Sequence, residues 1–290
     1  MNVLGFDIGG TKSAVILARV ADHEVIFLDR FEIPTRGTWQ QVVTALADSG
    51  EKMIGVHQLN RGDFRIGISC GGPLDLERGL ILSPPNLPGW DEVPIVSFLA
   101  ERFSVQAFLK NDADACALAE WKYGAGRGTN HMIFLTFGTG LGAGLILNGK
   151  LYTGACGMAG EVGHIRLSEN GPLGYGKNGS FEGYASGGGI AQIARCLAEE
   201  SLRKGMRASY HHGSIEEIET KHVALAAEEN KEDAIKVFKI AGEYFGKGLA
   251  VLIDILNPEK IVVGSIYVRA GKYLEKSMRS SLKQEALPSS

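Results

Sequence analysis

The chain has 290 residues, 44% apolar and 22% charged, with 30 basic and 33 acidic side chains and a net charge of −3. That length buries a sizeable core and divides naturally into two domains, while so balanced a charge argues against a protein that coats nucleic acid or an anionic membrane. The opening Met1-Asn2-Val3-Leu4 has no basic n-region and no run of about 18 apolar residues follows, so a cytoplasmic protein with small-molecule partners is expected.

Residues 3–8 and 13–19 are apolar, β-rich runs separated by Gly9-Gly10-Thr11-Lys12, which predicts a hairpin with a tight polar turn. Val25 to Ile33 adds a strand. Thr38 then caps a helix whose apolar positions are Val42, Val43, Leu46, Met53 and Val56. Phe64 to Ser69 and Val105 to Leu109 return to strand, and Asn111-Asp112 precedes an Ala-rich helix over 113–123 that stops at Gly124. Beyond residue 187, the stretches 190–202, 215–229 and 231–256 are amphipathic and lack internal proline. Asn257-Pro258-Glu259 ends the last of them. Lys260 to Gly264 reads as a buried strand with glycine at its C-terminal end, where open α/β sheets place ligands, and 271–290 as a helix with a frayed polar end. Alternating strands and helices indicate an α/β fold.

A shift of 129 residues reveals an internal repeat: Leu4-Gly5-Phe6 faces Ile133-Phe134-Leu135, and Gly9 faces Gly138. The simplest account is two related lobes, each presenting a glycine-rich hairpin. Their division is placed at 1–114 and 115–290. Cys70, Cys116, Cys156 and Cys196 stand far apart, without metal-ligand or redox spacing, and are expected to be reduced and buried.

Asp7-Ile8-Gly9-Gly10-Thr11-Lys12 has the parts of a phosphate loop: glycines that admit an anion to backbone N–H groups, a hydroxyl, a cation and a carboxylate able to hold Mg²⁺ through water. An ordinary hairpin turn would favour the same glycines. The second loop, Gly138-Thr139-Gly140-Leu141-Gly142, is denser in glycine than a turn requires, and two such loops together suit a triphosphate. Asp112, at a strand end and helix start, is placed to take a proton from a substrate hydroxyl while the helix dipole keeps it ionised; a plain N-cap is the competing reading, and Asp114 is a second acid nearby. Glu161 and His164, three residues apart among glycines, suit vicinal hydroxyls, a metal or a simple loop equally.

Taken in order, Asp7-Ile-Gly-Gly-Thr-Lys12, Pro85-Asn-Leu-Pro-Gly-Trp90, Asn111-Asp-Ala113, Gly138-Thr-Gly-Leu-Gly142, Gly160-Glu-Val-Gly-His164 and Glu182-Gly-Tyr-Ala-Ser-Gly187 resemble the ROK family of bacterial sugar kinases and repressors, over most of the chain. The resemblance implies a two-lobed actin-like ATPase fold, ribonuclease H-like, with the active site in the interlobe cleft. It implies ATP-dependent phosphorylation of a hexose or N-acetylhexosamine, with ATP and Mg²⁺ as cofactors, and a homodimer; the balanced charge and the lack of a long apolar run leave no nucleic-acid or membrane partner expected. Asp112 would be the general base. Asp7, Gly9, Gly10, Thr11, Lys12, Gly138, Thr139 and Gly140 would lie by the phosphates, and Gly264 near the adenosine. Asn86, Asn111, Asp112, Glu161, His164 and Glu182 would hold the sugar. The alternative is a catalytically silent sugar-binding member or a sugar-responsive regulator. Two departures from the family pattern stand out. Leu173, Tyr175 and Ser180 occupy the places of three zinc-binding cysteines, so no structural zinc is expected and His164 is left to the sugar, with Tyr175 and Phe181 anchoring the loop by packing. The C-terminal lobe also ends without the small-residue helix expected to close the family fold.

Overall fold

The computed structural model describes residues 1–21 and 24–289. Two compact units divide between Arg127 and Gly128. A division at 114 would cut a helix, because the Ala-rich segment after Asn111 is continuous to Tyr123 and belongs whole to the first unit.

In the first unit the elements run β1 (Asn2–Ile8), β2 (Lys12–Ala21), β3 (Glu24–Pro34), α1 (Trp39–Val56), β4 (Phe64–Cys70), the short strands β5 (Leu74–Asp75) and β6 (Leu80–Ile81), α2 (Ile95–Phe103), β7 (Ala107–Asn111) and α3 (Asp112–Tyr123). The main sheet has the order β3-β2-β1-β4-β7, antiparallel through the first three strands and parallel from β1 to β7. Period-2 alternation buries Leu4, Phe6 and Ile8 of β1 and Phe64, Ile66, Ile68 and Cys70 of β4 in one core, so Asp7 lies on the other face. Thr38 caps α1 in a reciprocal capping box with Gln41. Val42, Val43, Leu46 and Met53 are buried as their spacing predicts, but Val56, at the helix's last turn, is 74% exposed.

The second unit contains β8 (Met132–Phe137), β9 (Leu141–Leu147), β10 (Lys150–Tyr152), a 3₁₀ turn at Val162–His164, the small hairpin β11 (Leu173–Gly174) and β12 (Lys177–Asn178), α4 (Phe181–Tyr184), α5 (Gly187–Arg203), α6 (Thr220–Glu228), α7 (Glu232–Leu256), β13 (Lys260–Val263) and α8 (Ile266–Glu285). Its sheet order, β10-β9-β8-β13, repeats β3-β2-β1-β4 of the first unit with the same strand directions. The 129-residue repeat is therefore one of topology as well as sequence.

Three expectations need correction here. The helix expected from 215 starts at Thr220 instead, because Ser214 and Glu217 close a turn and Glu219 then caps the helix. β13 is half-buried, since it is the sheet's edge strand. The last helix begins five residues earlier than 271: Gly271, which obscured its start, makes room for the Tyr267 ring 3.3 Å from where a Cβ would lie.

Candidate active site

The parallel strands β1, β4 and β7 end side by side in the first unit. Their register puts Asp7 beside Ser69 and Ser69 beside Lys110, with Ile8, Cys70 and Asn111 in the next rank. Asp112 follows as the first residue of α3. Asn111 is the N-cap, its Oδ1 accepting the Ala113 N–H at 2.9 Å, and Asp112 Oδ1 accepts the same N–H at 2.8 Å. One oxygen of each side chain is thus tied to the helix end, which fixes both rotamers and leaves Asn111 Nδ2 and Asp112 Oδ2 on the side of Gly71 and Gly72. Asp114, by contrast, is buried in the helix.

Asp7 and Asp112 keep accessible surface, yet desolvation by the protein around them is the largest influence on each and pushes both carboxyls up from their ordinary range. At Asp7 the Asp112 charge raises the value further, partly offset by Arg30 and by a hydrogen bond from Ser69. At Asp112 the N–H bonds at the helix start pull the other way and are outweighed by desolvation. Cys70 reports the same crowding: burial, then Asp112 and Asp7, lift its thiol to about 12. Cys70 is the buried cysteine of the four; all are free, and Cys116, Cys156 and Cys196 keep exposed surface, although burial and the Asp112 and Asp7 charges also raise the Cys116 thiol. Two carboxyls with raised proton affinity and a neighbouring hydroxyl suit a hard dication, which prefers oxygen donors.

The first glycine turn is built by close approach. A Cβ on Gly10 would meet Asn86 Cβ and O at 2.5 Å, and one on Gly9 would meet Lys12 O at 2.7 Å. Asn86 reaches this point because Leu87 and Trp90, 3% and 2% exposed, anchor its segment in the core. Thr35 Oγ1 donates to Gly9 O at 2.6 Å, and the Thr35 N–H donates to Thr11 O at 3.0 Å, pinning the turn. The Lys12 ammonium is engaged elsewhere, with Glu32 Oε1 at 2.9 Å.

In the second unit the Gly138–Gly140 turn closes with the Gly138 N–H on Gly140 O at 3.0 Å. The start of α5 abuts it: the Gly187 N–H donates to Gly138 O at 2.8 Å and the Gly188 N–H to Thr139 O at 3.5 Å, while Ser186 caps the helix on Gly189. Gly264 follows β13 with its N–H on Leu135 O at 3.0 Å, and Ser265 Oγ lies 3.5 Å from the Cβ position of Gly138. The Gly160–Gly163 segment lies against β9. A Cβ on Gly160 would clash with Ala143 O and one on Gly163 with Leu141 O, and Gly160 also has a positive φ of 91°. Glu182 accepts the Leu141 N–H at 3.0 Å through Oε2. His164 is exposed, its Nε2 3.2 Å from Tyr175 O.

The loop lacking cysteines is held by other means. Ser180 Oγ accepts the Gly183 N–H at 3.1 Å and donates to Gly174 O at 3.3 Å, and the Gln192 side chain brackets Leu173 through two bonds of 2.9 and 2.8 Å. Phe181 is fully buried against Phe245, but Tyr175 is 65% exposed and sits at a positive φ of 45°, so it does not anchor the loop; its ring only meets His164 edge-on. No cluster of three metal-ligating side chains occurs among the described residues.

Sequence reading misses Ser69, Thr35 and the Gly187–Gly189 amides. Ser69 is readable only once β1 and β4 are in register. The Ser186-Gly-Gly-Gly189 run ahead of an apolar helical stretch does carry a signal, an N-cap followed by glycines whose N–H groups pair with Gly138 O, Thr139 O and Ser186 Oγ.

Comparison with known proteins identifies the family. Residues 3–289 match the ROK family, and the chain belongs to it. It is 34% identical over 291 residues to a glucokinase of Halalkalibacterium halodurans, covering 98% of this chain and 86% of that protein. A xylose repressor of Caldicellulosiruptor bescii is 29% identical, over 98% of this chain and 71% of the repressor. The crystal structure of a ROK family glucokinase from Streptomyces griseus in complex with glucose and AMPPNP is similar with a TM-score of 0.79 and 31% identity, covering 97% of this chain and 90% of that one. The fold is accordingly the α/β fold of ROK sugar kinases, of actin-like ATPase type.

Proposed function

We propose that this protein is an ATP-dependent sugar kinase in which Asp112 accepts the proton of the attacking sugar hydroxyl. The observation that carries the reading is Asp112 itself: rotamer fixed by the Ala113 N–H, one oxygen left over, and proton affinity raised by its surroundings. Asn111 and Asn86 orient the sugar in the first unit, and Glu161, His164 and Glu182 take its hydroxyls in the second. Backbone N–H groups of Gly9, Gly10 and Thr11, with Gly138, Thr139 and Gly140, receive the phosphates, and the Gly187–Gly188 amides and Gly264 border the nucleotide. Lys12 reaches the phosphates by exchanging Glu32 for them. Asp7, with Ser69 beside it, would hold Mg²⁺ through water, where a dication would supply positive charge against the phosphates. Positioning and electrostatic stabilisation supply most of the acceleration.

Glucose is the first substrate to test, given the glucokinase relatives. ADP release coupled to NADH oxidation, with Mg²⁺ and glucose, N-acetylglucosamine, N-acetylmannosamine, fructose or allose, should give turnover with at least one. Sugar binding by calorimetry without ADP release from any would instead favour a silent binding protein. The enzyme is cytoplasmic and dimeric on this reading, and light scattering at twice 31.1 kDa tests the dimer. No helix among the described residues is long and apolar enough to cross a membrane.

A further inference from the structure

Glu182 occupies a box made by three missing side chains. A Cβ on Gly140 would lie 2.7 Å from Glu182 Oε2, and Cβ atoms on Gly163 and Gly174 would lie 3.1 and 2.9 Å from Glu182 Cβ. These glycines come from three separate segments: the turn after β8, the 3₁₀ turn, and the hairpin that lacks cysteines. Within this box Oε2 accepts the N–H of Leu141, the residue that closes the Gly138–Gly140 turn, whereas Oε1 accepts a hydrogen bond from none of the described residues. One carboxylate therefore has one oxygen committed to a nucleotide-side loop and one uncommitted.

We propose that Glu182 is a positioning residue for the phosphate loop as well as a sugar ligand, so that sugar binding and nucleotide binding are coupled through its two oxygens. This rests on the reading of Glu182 as a sugar ligand. A sugar hydroxyl donating to Oε1 restrains the carboxylate that holds Leu141, and an ordered Gly138–Leu141 turn in return presents Oε1 to the sugar. Linkage makes the effect reciprocal in binding. Gly140 is glycine because a methyl there would push the carboxylate off the Leu141 amide; the displaced atom is the far end of a flexible side chain, so the substitution moves the acid without unseating the backbone.

Gly140→Ala, Glu182→Ala and Glu182→Gln test this by calorimetry with glucose alone and by steady-state kinetics in ATP. Gly140→Ala, although in the phosphate loop, should weaken glucose binding about tenfold with no nucleotide present. Glu182→Ala should raise the KM for ATP by a similar factor in addition to weakening glucose. Glu182→Gln, whose amide oxygen can still accept from Leu141, should restore most of the ATP KM while glucose binding stays weak, a split that a merely structural role would not produce. Wild-type glucose affinity in Gly140→Ala, or an unchanged ATP KM in Glu182→Ala, overturns the coupling. If Gly140→Ala does not fold, the pair at 182 decides alone. Unchanged glucose affinity in Glu182→Ala would refute the sugar-ligand assignment itself, a result distinct from loss of the coupling.

Discussion

Asp112 illustrates how a site residue trades stability for function. Its folded-state carboxyl titrates above its unfolded value, so it costs stability at any pH above the folded value, and the cost disappears as pH falls below the ordinary carboxylate range. Asp112→Asn removes that cost. The variant should melt above wild type at pH 7, with the gap closing on acidification, while kcat falls by roughly 10²–10⁴ and sugar affinity persists. Thermal melts across pH and coupled ADP release on one preparation check both halves. Because the base must be ionised to act, the acid limb of the wild-type kcat/KM profile should lie above the usual carboxylate range. Asp112 is readable in the sequence because a strand end, an N-cap and an Ala-rich helix coincide there. Its electrostatics are not: proton affinity depends on what crowds the carboxyl, and Asp7 lies 105 residues away in the chain.

At the scale of elements, the segment between the 3₁₀ turn and α4 is tied by hydrogen bonds and packing. Ser180 caps α4, Gln192 brackets Leu173, and the Tyr184 ring stacks on Tyr244 with centroids 3.5 Å apart. Prolonged EDTA treatment followed by removal of the chelator should leave the melting temperature and glucose affinity unchanged. A large fall in either would show that a metal supports the loop. Packing is close where Phe181 crosses α7: a methyl on Gly248 would run into three carbons of a ring buried on every side. Gly248→Ala should therefore destabilise the second unit by about 1–3 kcal/mol, read by denaturant unfolding. Strands and helices follow well from periodicity and capping, as at Thr38, Asn111 and Asn257. Burial at the ends of elements and along a sheet's edge does not, because Val56 and β13 depend on neighbours that local sequence does not name.

Across the whole molecule, two units carry the same four-strand order, and the repeat is legible in the sequence because strand-turn-strand patterns and their glycines survive divergence better than individual side chains do. What the repeat does not convey is the difference between its copies. The turn after β1 holds four residues between the paired Ile8 and Ser13, and the turn after β8 holds three between Phe137 and Leu141. Under the same 129-residue shift Asp7 falls on Thr136, whose hydroxyl accepts the Gly142 N–H at 3.0 Å inside its own hairpin. One copy thus carries an acid where the other carries a neutral hydroxyl, and a single side chain gives two duplicated halves a polarity. Thr136→Asp would restore charge symmetry; on the phosphate-loop reading it should repel the nucleotide and weaken ATP-analogue binding at least tenfold by titration, with glucose affinity less affected.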